Sequence, residues 1–146
     1  MKLFVPVTLG YMLLLVILAV GTPGLGLSGF LLDLIPADRR DQAHLPAYGL
    51  LAYLIMWGLR RSDWSLSASI ATGLGVTCLF GLYTELLQSH VPGREASLAD
   101  LLSDATGAVV ASSLLLIQAW AMQPSSQPVP ARRSGPARSR KGLWSR

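Results

Sequence analysis

Two apolar stretches meet at residues 85–107, ELLQSHVPGREASLADLLSDATG, and this junction limits the folds open to the chain. The first stretch ends in Glu85 and Gln88, the chain turns over Pro92-Gly93-Arg94, and a second apolar run starts at Ser97 with Asp100 and Asp104. Six polar or charged groups thus gather where two hydrophobic helices meet water. Charge at membrane depth is costly, so such a cluster marks a functional site by default.

Composition supports a membrane setting. Of 146 residues, 51% are hydrophobic and only 14% charged, too few to cover a soluble core, and the length suits one domain. The lone cysteine, Cys78, lies in an apolar run and reads as an inert core thiol, with no disulfide framework to join. The net charge of +4 is not a nucleic-acid signature, because six of the twelve basic residues sit in the last fifteen positions.

Four spans are expected. The first is the apolar run from Leu3 to Val20, after Lys2. A cleaved signal peptide ending at Ala19-Val20-Gly21 competes with it, but the run is long for that role and holds Tyr11, so a retained helix is expected. Residues 21–42 then read as a loop rich in glycine and proline, with Phe30-Leu31-Leu32 dipping into the interface. The second span runs from Ala43 to Leu59, with Asp41 as its N-cap, Pro46 tolerated in its first turn and Arg60-Arg61 as its stop. Asp41, His44 and Tyr48 share one face of it. The third, Leu66 to Gln88, carries Gly73, Thr77 and Gly81 below Glu85, small residues that let helices approach and turn Glu85 toward its neighbours. The fourth starts at Ser97, an N-cap followed by Asp100 in the manner of a capping box, and ends near Ala121. Beyond Met122 the chain is basic and proline-rich, so residues 123–146 read as a disordered tail to a membrane domain of residues 1–122.

Basic residues collect on the cytoplasmic side of membrane proteins. With four spans, Lys2, Arg60, Arg61 and the six of the tail share one side, against Arg39, Arg40 and Arg94 on the other. Both termini are therefore expected in the cytoplasm. Asp41, His44 and Tyr48 then reach the same outer level as Glu85, Gln88, Arg94, Asp100 and Asp104, where they can form one site.

With these residues laid out, the chain resembles the VanZ-like family of bacterial membrane proteins over residues 36–120. The likeness rests on D-x-x-H-x-x-x-Y (Asp41, His44, Tyr48), on E-x-x-Q-x-x-x-P-G-R (Glu85, Gln88, Pro92, Gly93, Arg94), and on Ser97, Asp100 and Gly107. Asp104 stands where that family usually has asparagine, and Gln42 where lysine is common. The resemblance implies a multi-pass cell-envelope protein and a link to glycopeptide (teicoplanin) resistance. It implies no settled reaction.

The candidate chemistry has two parts. His44 with Glu85 and Asp100 forms an acid–base set, since a histidine beside a carboxylate titrates near neutrality. Asp41, Tyr48, Gln88, Arg94 and Asp104 would bind a ligand, with Arg94 gripping a phosphate bidentately. Each has a bland counterpart: a polar network that locks helices together, and an ion pair of Arg94 with Asp100 or Glu85. Imidazole plus carboxylates suits divalent ions, so His44, Asp41, Glu85 and Asp100 are a minor metal-binding alternative, but no H-E-x-x-H or G-x-S-x-G motif occurs and neither a metal, a cofactor nor a serine nucleophile is assigned; Ser97 reads as a cap and Gly107 as a packing residue. The expected fold is an all-α four-helix transmembrane bundle. The leading function is binding or processing of a lipid-linked or peptidoglycan-related anionic ligand among membrane lipids. The alternative is a non-catalytic accessory protein whose polar cluster only stabilises the bundle.

Overall fold

A computed structural model describes residues 4–22, 24–36 and 39–122. The expected tail, residues 123–146, lies outside the described residues, as do Lys2 and Asp38. Among the described residues the chain is all-helical, with five α-helices: α1 (Phe4–Ala19), α2 (Gly26–Asp33), α3 (His44–Arg60), α4 (Leu66–Gln88) and α5 (Leu98–Ala121). Four of these fall where apolar runs predict them. The fifth, α2, folds inside the segment read as a loop. Its two glycines give it poor intrinsic helicity. Tertiary contact compensates: Leu32 is buried, and the Asp33 carboxylate accepts the Gly24 N–H at 3.0 Å, closing the segment on itself.

Two helices are long and apolar enough to cross a membrane. They are α4 and α5, of 23 and 24 residues, each with an 18-residue window of mean hydropathy 1.5. Only 28% and 39% of those windows are buried, so most of their apolar surface faces outward, unlike that of a soluble core helix. Leu79, Leu102 and Ile117 are 60% exposed or more. The shorter α1 and α3, of 16 and 17 residues, span roughly 25 Å each against a hydrocarbon core of about 30 Å.

The core is built around α3. One face sets Ala52 and Met56 against Ala108, Ala111 and Leu115 of α5. The other sets Tyr48, Leu51 and Ile55 against Leu15 of α1, with Phe80 of α4 alongside. Contact with α4 runs along small buried residues every fourth position, Ser69, Gly73, Thr77 and Gly81. The tightest approach is between α3 and α5, where a Cβ on Gly107 would stand 2.2 Å from the Leu45 carbonyl oxygen. The backbones touch there, and only glycine allows it. At this end of the bundle α1 and α4 finish while α3 and α5 begin, which sets four helix termini around one region.

Candidate functional site

The loop after α4 is tied down by Glu85. Its Oε2 accepts the Ser97 backbone N–H at 2.7 Å, while Ser97 Oγ accepts the Asp100 N–H at 3.3 Å as the N-cap of α5. The capping box is thus completed from another helix: the arm expected of Asp100 is supplied by Glu85. Asp100 turns its side chain to a polar cavity instead.

His44 opens α3 and its Nδ1 lies 2.9 Å from Oδ1 of Asp104, which is wholly buried one turn into α5 from Asp100. The acid partner of His44 is therefore Asp104, where the sequence reading placed Asp100. Tyr48, one turn on, stacks its ring parallel to the imidazole at 5.7 Å and hydrogen-bonds Thr84 of α4 through its hydroxyl. Donor atoms of His44, Glu85 and Asp104 lie within 4.8 Å of one another. Sequences 41 positions apart do meet at one level.

Arg94 takes an unexpected role. Its Nη1 donates to the carbonyls of Leu18 and Ala19 at 3.0 Å each, binding the last turn of α1. Neither Glu85 nor Asp100 pairs with it directly, so the expected ion pair is replaced by a helix C-cap from outside, which the helix dipole favours. Burial first, then the charge of nearby Arg40, lower the Arg94 pKa from its usual value. Arg40 itself reaches Asp33 at 3.2 Å and the Ile35 carbonyl at 3.3 Å.

Asp41 does not cap α3. The backbone from Arg40 through His44 is already helical, a 3-10 turn over Asp41–Ala43 running straight into α3, and a side-chain N-cap needs an extended residue that this geometry lacks. Asp41 stays exposed on the rim of the polar cavity.

Two cavities flank His44. The inner one, of about 70 Å³, is walled by Leu15, Leu18, Leu32, Ile35 and Ala47, and its polar lining is Arg40, His44, Tyr48, Gln88 and Arg94 with no carboxylate. The outer one, of about 280 Å³, is lined by Arg40, Asp41, His44, Gln88, Arg94, Glu95 and Asp100 along with Pro92 and Gly93. They share Arg40, His44, Gln88 and Arg94. Glu85 and Asp104 line neither and sit behind His44.

Sequence reasoning missed Thr84, Arg40 and the α1 carbonyls. Thr84 sits beside Glu85 on the buried face that Thr77 and Gly81 define, a signal that was there to use. The carbonyls had no signal, since every residue carries one. Compared with known proteins, the chain matches no family model, no curated protein and no solved structure.

Proposed function

We propose that this chain is a multi-pass protein of the bacterial cell envelope that binds a lipid-linked, anionic ligand at its outer face. In this reading α1, α3, α4 and α5 cross the membrane, both termini are cytoplasmic, and the protein is VanZ-like, with a place in glycopeptide resistance. One observation carries it: among the described residues, the charged side chains lining the apolar inner cavity are cationic, two arginines with a histidine beside them. A phosphate at the junction of the two cavities would meet Arg40 and Arg94, its first methylenes would enter the apolar notch, and a sugar or peptide headgroup would fill the outer cavity. Both guanidiniums are anchored to backbone carbonyls, which fixes their direction before a ligand arrives. The His44–Asp104 pair stands ready to orient the imidazole toward the same point.

Native mass spectrometry of detergent-purified protein tests this. The wild type is expected to carry an anionic lipid or lipid-phosphate that Arg94→Ala loses while helix content is kept. A second reading has its own support, since the contacts of Glu85, Arg94 and Asp104 each join two segments of the chain. If Arg94→Ala depletes folded protein and the wild type carries no anionic lipid, the cluster is an accessory protein's structural lock.

A further inference from the structure

His44, Glu85 and Asp104 hold more acceptor capacity than the surrounding protein satisfies. Asp104 is fully buried and Glu85 is 3% exposed, yet Oδ2 of Asp104 and Oε1 of Glu85 have no hydrogen-bond partner. Each carboxylate uses one oxygen, on His44 and on the Ser97 N–H respectively, and leaves the other buried without a partner. An unpartnered buried carboxylate oxygen is expensive. Two of them beside one imidazole form the donor set of a divalent cation: one nitrogen, two oxygens and a formal charge of −2.

We propose that His44, Glu85 and Asp104 bind a divalent transition-metal ion, with zinc the closest match to one imidazole and two carboxylates. One donor atom from each lies within 4.8 Å of the other two. Metal–ligand bonds of about 2.0–2.2 Å place tetrahedral donors roughly 3.4 Å apart, so the widest pair must close by up to about 1.4 Å, a shift that side-chain rotation has to supply. His44 lines the outer polar cavity, so an ion would enter past its imidazole. Gly81 makes room: a Cβ there would lie 2.7 Å from Asp104 Oδ2 and push that oxygen aside. The site shares His44 with the cavities where the anion would sit, but its two carboxylates line neither of them. The sequence offers His44 and Glu85 but not which acid joins them, since the three donors come from three helices with no local spacing.

The test uses tag-free, full-length protein in detergent, stripped with EDTA and titrated with Zn²⁺ and with Mn²⁺ against a competing fluorescent chelator. One ion per chain is expected, with Glu85→Gln and Asp104→Asn each weakening binding at least tenfold. His90→Gln, at the other histidine, which is exposed on the turn after α4, should leave it unchanged. Zinc should also raise the melting temperature of the wild type and not that of Asp104→Asn, a readout that stands even where a variant folds poorly. X-ray absorption of the zinc-loaded wild type should show only nitrogen and oxygen ligands. No stoichiometric binding of either ion by the wild type, or wild-type affinity in both Glu85→Gln and Asp104→Asn, overturns the proposal. A wild type that binds zinc but carries no anionic lipid would count against the ligand reading alone.

Discussion

Thr84 Oγ1 donates to the carbonyls of Phe80 and Gly81 at 3.1 and 2.9 Å, so its single hydrogen is spent within its own helix. The Tyr48 hydroxyl must therefore be the donor in their bond, which links α3 to α4 in one direction only. Tyr48→Phe removes that donor, leaves Thr84 satisfied, and keeps the ring stacked on His44. The expected cost is about 1 kcal/mol or less, read as a small drop in the midpoint of thermal or denaturant unfolding in detergent. A loss several times larger would mean that the hydroxyl also holds a group that Thr84 does not account for. The same economy explains why residue identities told only part of the story. His44, Glu85 and Asp104 are conspicuous because ionisable groups in apolar runs are rare, but which acid faces which base depends on helix rotation. Asp100 and Asp104 are one turn apart on the same face, and nothing in their spacing chooses between them. The choice is made by α5 packing on α3 at Gly107, which sets Asp104 level with His44.

Helix ends carry the architecture at the next scale. Ser97 as the N-cap of α5 and the run Leu66–Gln88 were legible, one from a capping residue before an apolar run, the other from length and continuous hydropathy. The start of α3 was legible to within one residue, but its cap was not, because the 3-10 turn of Asp-Gln-Ala merges into the helix without an extended residue. Nor was α2 legible, being too short and glycine-rich to stand without Leu32 and Asp33. The α5 N-terminus makes a sharp test, since Ser97 and Glu85 cap it together. Ser97→Ala should cost about 1 kcal/mol, as N-cap losses do. Glu85→Asp shortens the reach to the Ser97 N–H and should cost a similar amount while keeping the charge. The double variant should lose less than the sum of the two, a coupling readable in a double-mutant cycle; strict additivity would show that the two caps act independently. Gly107→Ala belongs at this scale too. Its Cβ would meet backbone at 2.2 Å, so α3 and α5 must separate. A loss of about 1–3 kcal/mol or more is expected from overpacking alone, accompanied by a loosened His44–Asp104 pair. An unchanged melting temperature would contradict the close crossing.

For the molecule as a whole, the decisive quantity is which surface meets lipid. The outward faces of α4 and α5 are uncharged and mostly apolar, with Leu79, Leu82, Leu102, Val109, Leu116 and Ile117 exposed, whereas the ionisable groups of the cluster all sit at one end, where α1 and α4 stop and α3 and α5 start. If α1, α3, α4 and α5 all cross, the loop holding Pro92 to Ala96 lies on one side and the turn at Ser62–Asp63 on the other, because α4 separates them. In the proposed topology the imbalance of basic residues, nine against three, would put the first outside and the second in the cytoplasm. Cys78 is the sole native cysteine, so a Cys78→Ser background permits single reporters. Glu95→Cys, exposed on the outer loop, should react in intact cells with a membrane-impermeant maleimide, and Ser62→Cys should react only after the membrane is opened. The reverse pattern would turn the protein over and place the Arg40–Arg94 cavity in the cytoplasm, where its ligand would have to be a cytoplasmic phosphate and not an envelope lipid carrier. Labelling of both sites in intact cells would mean that α4 does not cross, and its outward apolar face would then need a protein partner to cover it.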